Sequence, residues 1–358
     1  METAREPRNY WIDIARLIMA VFVVGIHCTL TASYAASGSQ PFDALNASLF
    51  RMAVPFFLVC TGYFVMKKTI ESNDRSGFLR SALKHAILYL LWTVIYLPII
   101  IYQQYVQAGV SFGAFSLSFV QRFFFSGSIE LLWYLSGSAL GLVLSWLVLK
   151  LKFPLWLRLL LGVAFFAIGT FGDAYFGVLT PSISSIYQGY FKIFLTTLNG
   201  LFFSFLFLQL GGAIVSLKAQ HPEAFSRKGL IISLSVNILS LVLLFVEGYL
   251  LTTYSAPRDT NFLWATVIVA PSLLYFLLTL PVKETSNKVV GYLGPLSALV
   301  YLVQVYCLAL NKLISEHVSI FANEFVKFPV VLLLSIGIGC LILALAKTKV
   351  FRWVKVLY

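Results

Sequence analysis

Six ionisable residues stand inside or at the ends of long apolar runs: Asp13, Arg16 and His27 in the first, Arg51 in the second, Glu130 opening the fourth and Glu247 late in the seventh. Charges in such surroundings are costly and usually face a protein interior or a wet cavity. Asp13, Arg16 and His27 are spaced by 3 and 11 residues. At about 100° per residue, 11 steps return to within roughly 20°, so the three share one stripe of one helix. At about 1.5 Å per residue, His27 lies roughly 16 Å deeper than Arg16. Arg51 enters from the opposite side, some eight residues into its run, at a depth close to that of His27. Glu130 and Glu247 fall near that same side. The chemistry on offer is an imidazole that exchanges a proton near neutral pH, guanidiniums that hold anions, and carboxylates that pair with either. Each residue also has a purely structural reading. His27 can be a satisfied interhelical hydrogen-bonder, Asp13 and Arg16 an i, i+3 pair at the headgroups, Arg51 half of an ion pair, Glu130 a helix cap and Glu247 a snorkelling side chain. His85, His221 and His317 fall at loops or run ends and read as surface residues.

The elements that must position these groups are membrane spans. Hydrophobic residues make up 59% of the 358 and charged ones 11%, with a mean hydropathy of +0.88. A soluble domain carries about 25% charged residues, so most of this surface meets lipid. Mostly apolar runs near 11–30, 43–66, 84–103, 130–149, 155–172, 191–217, 229–251, 262–280, 291–311 and 328–346 are each about long enough to cross a bilayer. The fold class expected is therefore all-α: a polytopic membrane protein of about ten transmembrane helices, a single membrane-embedded unit over 1–358 with no separate soluble domain. The first run reads as a retained helix rather than a signal peptide, since no clear small-residue cleavage site follows it.

Charge gives the orientation. With the N-terminus in the cytoplasm, 19 of the 26 Lys and Arg fall in inside segments and 5 outside. Cationic loops resist translocation, so this bias places both termini in the cytoplasm. The two long outside connections, about 104–128 and 173–190, could form a lid or an acceptor site. The net charge of +12 is spread over loops between spans, which argues against nucleic acid. Cys28, Cys60, Cys307 and Cys340 lie in apolar runs with no paired spacing, so no disulfide or metal site is expected and each reads as a buried small hydrophobe.

Several segments, taken in order, resemble one family. RNYWIDIARLIMAVFVVGIHC (Arg8 to Cys28) is similar to the first helix of the integral-membrane acyltransferases of family three, with its acidic residue, Arg and His. RMAVPFFLVCTGYF (Arg51 to Phe64), ELLWYL (Glu130 to Leu135), LNGLFFSFLFLQLGG (Leu198 to Gly212) and YLGPLSALVYLVQ (Tyr292 to Gln304) resemble later segments of that family. The chain departs from the pattern where Leu131 and Leu132 replace a His, Gln304 a His and Leu198 an Arg. The pattern is also similar to the membrane domains of the serine racemases of vancomycin resistance. Because the sequence stops at Tyr358, just past its last run, a racemase domain is not expected.

The resemblance implies a bacterial plasma-membrane (inner-membrane) enzyme that moves an acyl group, acetyl above all, from cytoplasmic acyl-CoA to a hydroxyl of an envelope glycan or related carbohydrate. That is an acyltransferase for groups other than aminoacyl, performing O-acetylation as a polysaccharide modification. Acyl-CoA (acetyl-CoA) is then a donor substrate, with no metal. His27 would be the general base, Arg51 the oxyanion partner and Glu130 the carboxylate orienting the imidazole. Arg16, with Asp13 beside it, would meet the donor, and Arg75, Arg80 and Lys84 would hold its phosphates. The acyl group, the acceptor and the oligomeric state, a homodimer included, stay open. The rival readings are a transporter of a small polar solute such as an amino acid, and a non-catalytic membrane scaffold. No inverted repeat or broken helix pair speaks for transport.

Overall fold

The computed structural model describes residues 9–28, 48–255, 257–282 and 290–358. Arg5, Arg8, Lys283 and Lys288, counted above for orientation, lie outside the described residues. Among the described residues there is no strand. The helices are α1 (Tyr10–His27), α2 (Ala53–Ser72), α3 (Ser76–Ile101), α4 (Phe112–Phe125), α5 (Trp133–Lys150), α6 (Leu155–Phe171), α7 (Pro181–Phe194), α8 (Phe205–Gln220), α9 (Arg227–Tyr254), α10 (Thr266–Thr279), α11 (Val290–Ser315) and α12 (Glu324–Leu345). Short turns run without a break into α2, α5 and α8: a 3₁₀ turn Leu49–Met52 before α2, another, Glu130–Leu132, before α5, and a π turn Gly200–Ser204 before α8.

The chain is an all-α, multi-pass membrane protein. Among the described residues, eight helical stretches are long and apolar enough to cross a bilayer, and the shorter apolar α6 and α10 take up the two remaining expected runs. The face where α1 begins is called proximal here and the opposite face distal.

Two departures from the expected spans have local causes. The run near 191–217 is not one helix. The chain turns at Leu195, whose φ is 62°, and Asn199 then caps the next helix by accepting from the backbone N–H of Leu201 and Phe202. Hydropathy reads straight through this break because the cap is a single polar residue. Second, the two long distal connections hold helices. α4 begins at Ser111, whose hydroxyl accepts from Ala114 N, and α7 begins with Pro181 at its first position. The two are joined: Gln121 Nε2 donates to the carbonyls of Lys192 (2.7 Å) and Ile193 (3.0 Å), and the Phe125 and Phe194 rings meet edge to face at 5.0 Å.

Helix association in lipid rests on close packing and internal hydrogen bonds. The tightest approach is between α2 and α8. A Cβ at Gly62 would sit 2.2 Å from the Leu208 carbonyl oxygen, and one at Gly211 2.1 Å from that of Val59. Arg158 is buried on α6 and donates to Gln209 Oε1 of α8 (3.1 Å). Gln209 Nε2 in turn donates to Ser145 Oγ of α5 (2.8 Å). Glu247, expected to snorkel, accepts from the N–H groups of Trp264 and Ala265 and from the Tyr175 hydroxyl, so it caps the start of α10. Cys28, Cys60 and Cys307 are buried, whereas Cys340 is exposed on α12.

Candidate functional site

α1 connects two polar regions. Arg16, nearly two turns from its start, lines a proximal cavity of about 480 Å³ together with Lys84 and His85 of α3, Tyr134 of α5 and Tyr301 of α11. This size suits a small-molecule site. Asp13 is buried, with Oδ1 3.9 Å from Arg16 Nη1, so the i, i+3 pair exists while Arg16 also faces the cavity. His85 corrects the surface reading. Its Nδ1 meets the Ser81 carbonyl at 2.8 Å, and its ring stands edge-on to Tyr134 at 6.5 Å. Periodicity within α3 could not say which face turns inward, because both faces are largely apolar. The other two histidines, His221 and His317, are exposed as expected.

The four basic residues expected to hold an anionic donor do not all meet. Arg16 and Lys84 share the cavity. Arg80 is held outside it by Asp74, Nη2 to Oδ2 at 2.8 Å, and Arg75 Nη1 donates to the Leu149 carbonyl at 3.0 Å. Asp74 also accepts from Ser76 N (2.8 Å) and the Ser76 hydroxyl, and these bonds with Arg80 hold its carboxyl down at about 2. It therefore stays ionised and keeps Arg80 in place at any neutral pH.

His27 ends α1 at the distal side. It lines a cavity of about 470 Å³ with Glu130 and Leu131 of the turn before α5 and with Val305 and Asn311 of α11. His27 Nδ1 lies 2.8 Å from the Val23 carbonyl. A carbonyl only accepts, so Nδ1 carries the proton and Nε2 keeps its lone pair. The orienting group is therefore the backbone one helical turn back, rather than Glu130. Glu130, Arg51 and Asp259 are near enough for their charges to act on the ring.

Arg51, in the turn before α2, is anchored by a loop that sequence reasoning did not single out. Nη2 lies 2.7 Å from Asp259 Oδ1, and Nη1 donates to Asn261 Oδ1 at 2.7 Å. Asn261 Nδ2 donates to Asp259 Oδ2 (2.8 Å) and Asp173 Oδ2 (3.2 Å). The backbone N–H groups of Asn261 and Phe262 point at Asp173 Oδ1. Arg51 Nε is buried with no acceptor among the described residues. These loop residues belong to no spacing motif; the only sign was a run of Asp and Asn ahead of an apolar helix.

Burial and the nearby Asp259 carboxylate push Asp173 up to about 6. The folded state thus holds its proton more tightly than an unfolded chain, in which an Asp titrates near about 4. This contribution to stability is full below about pH 4 and is lost as pH rises through about 6. Asp173→Asn, compared with wild type, is expected to flatten that part of the pH dependence of Tm. A thermal-unfolding series from pH 4 to 8 checks it; parallel curves for the two proteins contradict it.

A thin layer separates the two cavities. Leu131 on the distal wall accepts a hydrogen bond from the Tyr301 hydroxyl on the proximal wall. Leu302 and Val305, one turn apart on α11, line opposite sides of it. Gln304 in the same turn is fully buried, with Nε2 on the Tyr301 carbonyl (2.9 Å) and Oε1 without a donor. The arrangement places Arg16, Lys84 and several aromatic side chains around the proximal cavity, and His27 and Glu130 around the distal one.

The chain is 31% identical over 346 residues to a serine/alanine racemase of Enterococcus gallinarum, covering 94% of this chain and 46% of that protein. It is 25% identical over 349 residues to an amino-acid racemase of Enterococcus faecalis, again covering 94% and 46%. A second Enterococcus faecalis amino-acid racemase is 28% identical over 223 residues, 62% of this chain and 29% of that protein. The chain thus spans less than half the length of these relatives. No solved structure matches. The profile of the family described as an acyltransferase domain matches residues 9–344, nearly the whole described architecture, and the chain belongs to that family.

Proposed function

We propose that the protein is an acyltransferase that moves an acyl group, acetyl first among the candidates, from acyl-CoA at the proximal, cytoplasmic face to a hydroxyl held in the distal cavity. The bacterial plasma membrane is the setting, and a carbohydrate of the envelope is the acceptor class. The observation that carries this reading is the placement of the two ends of α1: Arg16 in a cavity with Lys84, and His27 with a free Nε2 in a cavity beyond a single layer of side chains.

The residues divide the work. Arg16 and Lys84 meet the donor's phosphates, and the aromatic wall of His85, Tyr134 and Tyr301 encloses its thin acyl-bearing arm. Nε2 of His27 takes the acceptor hydroxyl's proton as the oxygen attacks the thioester carbonyl. The N–H of Arg51 Nε, which has no acceptor among the described residues, is available to the oxyanion of the tetrahedral intermediate. Glu130 stabilises the imidazolium. Collapse breaks the carbon–sulfur bond, and the proton on His27 passes to the leaving thiolate, leaving an ester and free CoA.

Release of free thiol from acetyl-CoA by purified protein, stimulated by an acceptor, tests the reading. Arg16→Ala and Lys84→Ala are each expected to raise the KM for acetyl-CoA about tenfold, the effect of losing one charge-assisted contact, with little change in kcat. Unchanged KM in both variants removes the proximal cavity from donor binding.

The names of the relatives favour a second reading, in which this membrane unit handles amino acids by transport. It predicts solute flux with no thiol release. Racemisation is the named activity of the longer relatives.

A further inference from the structure

The distal side holds a further cavity of about 280 Å³, lined by Arg122, Glu130, Asp173, Arg258, Asp259 and Asn261. Its charges are not all spent on each other. Asp259 is committed to Arg51 and Asn261, and Asp173 to the backbone of Asn261 and Phe262. Arg258 has no carboxylate within 4.0 Å among the described residues. It is nonetheless fixed: its guanidinium carbon lies 3.6 Å from the centroid of Phe191 and 5.8 Å from that of Phe176, and its backbone N–H donates to the Asp173 carbonyl at 3.2 Å. Stacking on an aromatic face leaves the in-plane N–H fork of an arginine open. Arg122 lines the same cavity, with only a 3.4 Å contact from Nε to the Ser118 hydroxyl. Glu130, whose carboxylate likewise has no hydrogen-bond or ion-pair partner among the described residues, lines this cavity and the one that holds His27.

An oriented arginine fork without an anion, in a cavity that shares Glu130 with the one lined by the base, matches a planar anion. We propose that the acceptor carries its own carboxylate, which binds Arg258 with Arg122 beside it and so directs the acceptor's hydroxyl past Glu130 toward His27. Two sources share this chemistry: a free hydroxy amino acid and an acidic sugar. Glu130 distinguishes them, because its unpaired carboxylate would also hold the ammonium of an amino acid.

The inference rests on the acyl-transfer reading of the distal site, and the experiment separates the two. Calorimetric titration of the purified full chain, without acyl-CoA, compares L-serine with ethanolamine and D-glucuronate with D-glucose. At least one carboxylate compound is expected to bind tenfold or more tightly than its carboxylate-free counterpart, and Arg258→Gln to abolish that preference. Preference for L-serine that falls in Glu130→Gln assigns the amino-acid source; preference for D-glucuronate that survives it assigns the sugar acid. Should Arg258→Gln not purify as a folded protein, Arg258→Lys, which keeps the charge and loses the fork, and Arg122→Gln are expected to weaken the same preference. No preference in either pair, or a preference untouched by all these arginine changes, overturns the proposal. Thiol release driven equally by the carboxylate-free compounds overturns it while leaving acyl transfer standing. Arginine-dependent binding with no thiol release sustains the site and overturns acyl transfer.

Discussion

His27→Ala is expected to lower acceptor-dependent thiol release by about 10²- to 10⁴-fold, the usual contribution of a general base. The reason is the ring's fixed tautomer. With its Nδ1 proton on the Val23 carbonyl, the imidazole presents Nε2 as a base to the cavity it shares with Glu130. Alanine leaves that cavity with the Glu130 carboxylate and the Lys312 and Lys327 side chains but no imidazole base. The fold is expected to survive, since the hydrogen bond lost is local to the last turn of α1. The KM for acetyl-CoA is expected to stay close to that of wild type, because Arg16 and Lys84 line the other cavity. His27→Gln keeps a donor for Val23 and still lacks a base, so it is expected to be as inactive as alanine. Activity within a few-fold of wild type in either variant contradicts the assignment; thiol release at saturating donor is the measurement.

The largest effect on stability is expected at the α2–α8 contact. A methyl at Gly62 would lie 2.2 Å from the Leu208 carbonyl oxygen, and one at Gly211 2.1 Å from the Val59 oxygen. Neither obstacle is a side chain that can swing aside, so the two helices must separate. Such overpacking costs about 1–3 kcal/mol and sometimes more. Moving these helices also disturbs the Arg158–Gln209–Ser145 bonds that tie α8 to α6 and α5. Gly62→Ala and Gly211→Ala are therefore expected to unfold at markedly lower temperature, with a reduced monodisperse yield in detergent. Gly113→Ala and Gly189→Ala, where a methyl meets nothing within 4 Å, serve as controls and are expected to be neutral or slightly stabilising. Equal Tm for all four variants contradicts the packing argument.

How much of this was legible in the sequence follows from the range of each interaction. The helices were readable because apolar runs of spanning length leave few alternatives. Arg16 and His27 stood out because a helix fixes its own side-chain directions, so their separation into two polar regions along α1 follows from spacing alone. What joins Arg51 to Asp259 and Asn261 was not readable, since more than 200 residues separate them. The Arg75–Arg80 cluster illustrates the opposite case. Asp74 follows Asn73, which adopts the left-handed conformation at the end of α2, and caps the start of α3 through Ser76. That local turn chemistry takes Arg80 away from the cavity; counting loop charges could not detect it. Likewise, the role of Glu247 as a cap for α10 depends on a helix that begins 19 residues later.

The central claim is transfer between opposite faces of the membrane, and sidedness tests it directly. Wild-type protein is reconstituted in sealed liposomes, with acetyl-CoA added to the face exposing Arg16 and Lys84 and a hydroxyl acceptor confined to the other. The account predicts thiol appearing on the donor side and acylated acceptor on the far side, both lost in His27→Ala. Movement of the acceptor across the bilayer with no thiol released would contradict it and identify a transporter.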